Sequence, residues 1–151
     1  MPIYDPYTTS LDLIGYLREE ATTKEQQDLI TDLFERIVLF DLAASDAKVE
    51  ETPDGKFTVT MTVKAKKFEA DGKGHETELP LDLSIDVGAF NKNPDEIKPG
   101  EKAQIYLQKH RINQAETLIT LTLDEKPSYV GIDPLNKLVD RNSDDNVTQV
   151  Q

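Results

Sequence analysis

The feature that most constrains this chain is a strict alternation of apolar and polar residues across residues 57–65. The even positions of this run carry threonine or lysine, and its odd positions carry Phe57, Val59, Met61, Val63 and Ala65. A period of two is typical of a strand with one face on a core and the other in water. Because parallel sheets are buried on both faces, the pattern favours an antiparallel sheet.

Further runs extend this pattern from about residue 44 to residue 125. Ala47 and Val49 precede a Pro53-Asp54-Gly55 turn, which predicts a hairpin with the central run. A bulge near Lys66-Lys67 would return Phe68 to the inner face. A second turn, Asp71-Gly72-Lys73-Gly74, precedes alternation over residues 79–87, and shorter runs cover Ile105 with Leu107 and residues 119–123. We therefore predict a mainly β fold, an antiparallel immunoglobulin-like sandwich, whose buried residues include Val59, Met61, Leu83, Ile85 and Leu121.

Two α-helices are predicted ahead of the sandwich, over residues 9–41. Ser10 is a candidate N-cap for the first, and Thr22 with Glu25, or Thr23 with Gln26, forms a capping box for the second. Apolar residues then recur at helical spacing: Leu29, Ile30, Leu33, Phe34, Ile37 and Val38. This stripe either packs on its own domain or docks on a neighbouring one. The predicted organisation is a helical segment (1–43), a β-sandwich (44–130) and a polar tail (131–151).

Charge and composition exclude several classes of function. The net charge is −12, from 17 basic and 29 acidic residues. Phosphate binding requires a basic face, so we expect no nucleic-acid partner, and docking on an anionic membrane surface is disfavoured. The chain contains no cysteine, which rules out disulfides and thiolate zinc sites. No apolar stretch approaches the roughly 18 residues of a membrane span, so we expect no direct membrane insertion.

The residues that could carry catalysis do not form a recognisable motif. His75 with Glu76 opens a zinc-peptidase pattern, but the second histidine of that pattern is replaced by Leu79. His110 is expected at the surface, and neither Ser45 nor Ser84 has a histidine partner in the pattern. Three tyrosines, at positions 4, 7 and 16, are interpreted as packing residues. We therefore predict no catalytic, cofactor-binding or metal-binding residues in this chain.

The tail after residue 130 offers weaker signals. Residues 131–138 should lie against the sandwich through Ile132, Leu135 and Leu138, with Asp133-Pro134 in a turn. Asp140-x-Asn142-x-Asp144-Asp145 resembles the opening of a calcium loop, although the required glycine and final glutamate are replaced by Asp145 and Gln151. A solvated tail, a partner contact and calcium binding all remain open. Asn146-Val147-Thr148 fits the glycosylation pattern, and we expect residues 143–151 to be mobile in the isolated chain.

Two blocks of sequence resemble bacterial membrane proteins in which an ABC-type permease is fused to an aminopeptidase N-like zinc metallopeptidase. Residues 7–14 and 32–41 are similar to the helical end of the peptidase region. Residues 131–146, which read Gly-Ile-Asp-Pro-Leu-Asn-Lys-Leu-Val-Asp-Arg-Asn-Ser-Asp-Asp-Asn, are similar to the terminal sequence. Residues 55–59 and 71–81 lie where the family places its terminal β-domain. The family's His-Glu-x-x-His pair, downstream glutamate and tyrosine match no position here.

The resemblance implies a non-catalytic C-terminal accessory domain that packs against the peptidase region. Its partners would be the upstream peptidase and membrane regions of the same polypeptide. The domain would be membrane-associated through that parent protein, with the extracytoplasmic side favoured. The alternative is a free-standing immunoglobulin-like protein-binding module, and an independent hydrolase is the least favoured reading.

Overall fold

The computed structural model describes residues 7–151 and places two helices ahead of two antiparallel sheets. The helices are α1 (Ser10–Glu20) and α2 (Lys24–Ile30). Strands make up 46% of the structure, so the predicted mainly β architecture is confirmed. In chain order they are β1 (Ile37–Glu51), β2 (Phe57–Ala70), β3 (Glu76–Leu79), β4 (Leu83–Phe90), β5 (Gln104–Ile112), β6 (Glu116–Leu123), β7 (Tyr129–Ile132) and β8 (Val147–Gln149).

The strands form two four-stranded sheets that share one hydrophobic core. In sheet A, β2 lies at the centre with β1 on one side, and β6 and β3 follow each other on its other side. Sheet B has the order β5-β4-β7-β8. The shared core draws on both sheets and includes Phe40, Leu42, Met61, Val63, Ile85, Val87, Leu121, Val130 and Ile132.

The β1–β2 hairpin forms at the predicted Pro53-Asp54-Gly55 turn, with Glu51 opposite Phe57. Gly55 has a φ of 81°, the left-handed backbone that glycine adopts without strain. The bulge expected near Lys66-Lys67 is absent from this pairing, which is regular from Ser45–Thr62 through Ile37–Ala70. The irregularity lies in β1 between Ser45 and Lys48, where Asp46 adopts a φ of 53°.

The second helix ends earlier than predicted, and residues 37–42 belong to strand β1. A wider helical turn, Thr31–Glu35, closes α2, and the backbone becomes extended at Arg36. Ile37 and Val38 continue the helical stripe, but Val38, Phe40 and Leu42 alternate as in a strand, and these three are almost fully buried. Pairing with β2 satisfies the backbone while burying all three side chains, so the tertiary context overrides the helical periodicity.

The alternating run over residues 79–87 is divided between the two sheets. Leu79 ends β3 in sheet A, and Leu83 begins β4 in sheet B after a crossing at Pro80–Asp82. Pro80 lacks a backbone N–H and therefore suits the break. Val59, Met61, Ile85 and Leu121 are buried as predicted. Leu83 is only half-buried, because it starts its strand beside the edge of the core.

On β5 the inward face is not the one that the sequence pattern indicated. Leu107 was expected to face the core, yet the residues opposite inward-facing β4 positions are Tyr106 and His110. A register shift opposite Ala89 and Phe90 lets Ile105 also contact the core. One irregular pairing therefore changes the phase of the alternation along this strand.

The tail is part of the sandwich, so the expected mobility of residues 143–151 is wrong. The amide of Phe40 donates to the Val139 carbonyl at 2.8 Å, and Arg141 donates to the Phe40 carbonyl at 2.9 Å. β8 pairs with β7, and Gln151 donates to the Ala47 carbonyl at 3.0 Å. The tail thus covers the outer edge of β1 and extends sheet B.

The turn at Asp133-Pro134 forms with a different backbone from the one expected. Asp133 has a φ of 42° instead of an extended conformation, and its carbonyl accepts from the Asn136 amide at 3.0 Å. Both carboxylate oxygens of Asp133 accept main-chain amides, from Lys137 and Leu138 at 3.0 Å. Of the predicted apolar anchors, Ile132 is buried and Leu138 half-buried, whereas Leu135 is 47% exposed.

Candidate functional site

Helix α1 is well capped but buries none of its eleven residues. Thr9 accepts from the Asp12 amide and Asp12 reaches back to the Thr9 amide, a complete capping box. This cap, one residue before the predicted Ser10, defines the start of the helix from local sequence alone. The stability of α1 therefore depends on local interactions and on its contacts with α2, because no residue of the helix enters the core.

Arg18 joins α1 to α2. Its guanidinium donates to the Gln27 side chain at 2.8 Å and to Glu35 at 2.8 Å, and Gln27 returns a bond to the Arg18 carbonyl at 2.9 Å. Ile14, one turn earlier, is half-buried on the same side of the helix. The opposite side of α1 therefore points away from α2.

An exposed apolar surface extends from that opposite side to the flank of α1, and we call it the α1 patch: Leu13, Tyr16 and Leu17. These side chains are 49%, 62% and 36% exposed, and their spacing of three and four residues puts them on one helix face. Phe34 and Ile37, 49% and 51% exposed, add apolar surface where α2 leads into β1. Single exposed apolar residues are ordinary in proteins, whereas several on one short segment form a candidate interaction surface.

Charged contacts hold α2 to sheet B and the turn that follows α2 to sheet A. Glu25 accepts from the Ser84 amide at 2.9 Å and pairs with Arg111 at 2.7 Å. Asp32, 7% exposed, is bonded by the ammonium of Lys67 on β2. The capping box at Thr23 with Gln26 is present, whereas the alternative at Thr22 is replaced by a Glu25 contact to the sheet.

A cleft of about 310 Å³ separates α2 from sheet B. Its apolar wall includes Leu29, Leu33, Leu83 and Leu138, and its floor includes Asp86 and Asp133. Asp86 is 6% exposed and pairs with Lys137 at 2.7 Å and Lys109 at 3.3 Å. Burial works to raise the pKa of Asp86, but the bonds from Lys137 and Lys109 outweigh it and hold the pKa below its ordinary value.

Asp133 responds in the opposite direction to the same surroundings. Burial raises the pKa of Asp133, the amides of Leu138 and Lys137 oppose that rise, and the nearby charges of Asp86 and Asp140 add to it. The cleft therefore holds an ionised carboxylate between two ammonium groups, beside a second carboxylate bound by main-chain amides. The ion pairs of Asp86 therefore tie the loop after β7 to β4 and β5 of sheet B.

The two histidines differ in their exposure and in their contacts. His75 follows the Gly72–Gly74 turn with an 82% exposed side chain and contacts Asp71 at 2.8 Å, as a solvated residue should. His110 was expected at the surface but is half-buried, with Nε2 2.7 Å from the Tyr106 hydroxyl and the two rings packed edge to face. Burial lowers the pKa of His110, so the neutral imidazole is favoured in the folded protein.

The serines considered for catalysis have no histidine contact. Ser84 is held by Glu25, and Ser45 donates to Asp46 at 3.1 Å. Tyr16 and Tyr7 are 62% and 79% exposed, so neither is buried in the part of the chain that the structure describes; Tyr4 lies outside the described residues. Among residues 7–151 no group of three or more histidine and acidic side chains is arranged to hold a metal ion.

The candidate calcium loop is part of the β1 edge. One oxygen of Asp140 accepts from the Asn142 amide at 3.2 Å and from the Leu42 amide at 3.4 Å. Its other oxygen is buried and has no partner among residues 7–151, and the same holds for both side-chain amide atoms of Asn146. Asn146 is 1% exposed, so the glycosylation pattern that begins there is inaccessible in the folded protein.

Searches of known proteins add no assignment to this geometry. A scan against protein-family models, a search of curated proteins and a search of solved structures each find no match to the chain. Across the described residues, no helix combines the length and apolar character needed to cross a membrane. The α1 patch and the cleft therefore stand on their geometry alone.

Proposed function

We propose that this chain is a non-catalytic accessory domain that packs against a neighbouring region of the same polypeptide through its helices. The observation that carries the proposal is the α1 patch. Helix α1 has a complete capping box and no buried residue, and its apolar face of Leu13, Tyr16 and Leu17 is exposed. A neighbouring region that covered this face would remove its apolar surface from water.

The resemblance in sequence supplies the identity of that neighbour. In the permease–aminopeptidase fusions, segments similar to residues 7–14 and 32–41 close the peptidase region, and these segments include the first turn of α1, with Leu13 of the patch, and the α2–β1 junction. We therefore assign the peptidase-like region of a larger membrane-associated polypeptide, on its extracytoplasmic side, as the surface that covers the patch. Within this proposal, the two sheets have an immunoglobulin-like topology.

The alternative is a free-standing immunoglobulin-like module that binds another protein. Its support is the same patch, covered by a separate partner instead of by an adjoining region. The two readings differ in one observable: the residues encoded immediately upstream of Met1. A reading frame that continues upstream into a peptidase-like sequence supports the accessory domain, and a frame without one supports the module.

The direct test uses the upstream peptidase-like region and this chain as separate co-expressed polypeptides. The double variant Leu13→Ser with Tyr16→Ser should reduce co-purification at least tenfold while leaving the unfolding midpoint of the chain unchanged. A matched control is Lys24→Ser, which changes an exposed residue of α2 outside the patch. Co-purification that survives the double variant, or that is absent for the natural sequence, contradicts the proposal.

A further inference from the structure

We infer that strand β6 is an acceptor edge for an extended peptide segment with basic residues at its ends. The inference is independent of the accessory-domain proposal, because the turn after α2 contacts the far end of β2, at Lys67 and Glu69, whereas β6 pairs with residues 57–64. It depends on which backbone groups of β6 are already bonded and on how the other sheet edges are protected.

The phase of the β6 ladder follows from one hydrogen bond. The amide of Ala65 donates to the Ala115 carbonyl at 3.0 Å, directly beyond the paired residues Lys64 and Glu116. Bonded and non-bonded pairs alternate along an antiparallel ladder. Residues 117, 119, 121 and 123 are therefore bonded to β2, and the N–H and C=O groups of Leu118, Thr120 and Thr122 point away from the sheet.

Those outward groups have no backbone partner within residues 7–151. β6 pairs only with β2, and no further main-chain bond reaches Leu118, Thr120 or Thr122. Their side chains are exposed, with Leu118 at 69%. A row of unbonded donors and acceptors beside β-favouring side chains is a template for another strand.

The remaining edges carry the protective features that β6 lacks. The outer edge of β1 is covered by the tail at Phe40 and again near Ala47. β3 has four residues, two of them glutamate, and β8 has three residues. β5 carries Lys109 and Arg111 together with a register shift. β6 has eight residues (Glu-Thr-Leu-Ile-Thr-Leu-Thr-Leu) without proline, glycine or a basic side chain.

Charge selects the occupant. Glu116 begins β6, and Asp124 and Glu125 follow it; of these three, Asp124 alone has an ion-pair partner in the described part of the chain, Lys56 at 3.1 Å. Acidic groups at both ends of the edge favour a segment with lysine or arginine at its own ends. A second copy of this chain would bring the same acidic ends and a net charge of −12, which opposes self-association.

The test uses a synthetic ten-residue peptide with an alternating threonine–valine centre and two lysines at each end. Binding is followed by NMR amide exchange and chemical shifts of the whole chain. We expect saturable binding that slows exchange at Leu118, Thr120 and Thr122. The same peptide with N-methyl groups on alternate amides, or with glutamates replacing the lysines, should bind at least tenfold more weakly.

Two variants test the edge itself. Leu118→Lys should weaken peptide binding at least tenfold by adding a basic residue, and Thr120→Pro should do so by removing one outward N–H. The control is Thr60→Lys on β2, directly opposite Thr120 and away from the edge. Failure of the peptide to bind, equal binding of the N-methylated peptide or protection centred on another strand overturns the inference. Peptide-free dimerisation that Leu118→Lys abolishes would replace the peptide by a second copy.

Discussion

The polar tail is integrated into the folded protein, whereas helix α1, which carries an apolar face, is not. This is the reverse of what their compositions suggest. The tail is rich in aspartate and asparagine, yet it bonds to β1, contributes β8 and buries Asn146 and Ile132. Helix α1 carries Leu13, Tyr16 and Leu17 on an exposed face and buries nothing. Integration into this fold therefore depends on where backbone donors and acceptors find partners, and composition alone is a poor guide to it.

The largest expected difference comes from removing each region's structure. Deletion of residues 139–151 should lower the free energy of unfolding by at least about 3 kcal/mol, because several main-chain bonds worth about 1 kcal/mol each are lost and the β1 edge is uncovered. Gly15→Pro, which breaks α1, should lower it by less than about 1 kcal/mol. Urea denaturation of both variants measures the contrast. Similar losses from both changes would show that α1 is part of the cooperative unit.

Two apolar truncations sharpen the comparison at single residues. Ile132 is fully buried at the start of the tail, so Ile132→Ala should cost about 2–5 kcal/mol. Leu11 is 77% exposed on α1, so Leu11→Ala should change stability by less than about 0.5 kcal/mol. The measurement is the urea midpoint at constant m-value. A loss above 1 kcal/mol at Leu11 would indicate that α1 packs more tightly in solution than its exposure implies.

Two glycines provide a matched pair. A Cβ on Gly131 would lie 2.3 Å from the Asn146 carbonyl oxygen and 2.9 Å from the Cα of Val147, so Gly131→Ala should separate β7 from β8 and cost about 1–3 kcal/mol. Gly15 has nothing within 4 Å, so Gly15→Ala should improve helix formation in α1 by about 1 kcal/mol. Circular dichroism and thermal unfolding distinguish these effects. A neutral Gly131→Ala would mean that the β7–β8 pairing contributes little.

The strands were predictable where apolar and polar residues alternate strictly, because successive side chains then face the core and water in turn. The β1–β2 hairpin, the central run of β2 and the burial of Met61 and Leu121 follow from alternation and turn residues. Residues 37–42 were harder to predict, because Ile37 and Val38 continue the helical stripe from Leu29, whereas Val38, Phe40 and Leu42 alternate as in a strand. The strand that decides between them is β2, where Lys67 and Ala65 lie opposite Phe40 and Leu42 after an intervening turn.

The residues of the cleft were harder to predict from the sequence, because their contacts are also long-range. Asp86 alternates with Ile85 and Val87 and therefore reads as solvent-facing, whereas Lys137 and helix α2 cover it. A buried ion group leaves no local pattern when its members come from β4, β5 and the loop after β7. Asn146 likewise reads as a polar terminus, and only the long-range pairing of β8 buries it. The sequence analysis did not single out the α1 patch, although its three- and four-residue spacing is a local pattern.

The smallest expected effect concerns the charge that ties the tail to sheet B. Lys137 donates to Asp86 at 2.7 Å and is the leading cause that holds the pKa of Asp86 below its ordinary value against its burial. A carboxyl group with a depressed folded pKa stabilises the protein above its unfolded pKa, near 3.9, and that contribution is lost as the pH falls through the folded pKa. Removing Lys137 leaves burial less opposed and raises the folded pKa of Asp86.

Lys137→Met should therefore cost about 1 kcal/mol at pH 7, and its acid-induced loss of stability should begin at a higher pH than that of the natural sequence. The matched change in the other region is Arg18→Met, which removes the Arg18–Glu35 pair between partly exposed side chains and should leave the acid profile unchanged. Urea denaturation between pH 7 and pH 3 gives both profiles. If Lys137→Met and the natural sequence lose stability over the same pH range, Lys109 alone sustains the ionised Asp86. The tail would then be held by its main-chain bonds to β1 and β7 and not by charge. The difference between the integrated tail and the exposed helix α1 would therefore depend on backbone pairing alone.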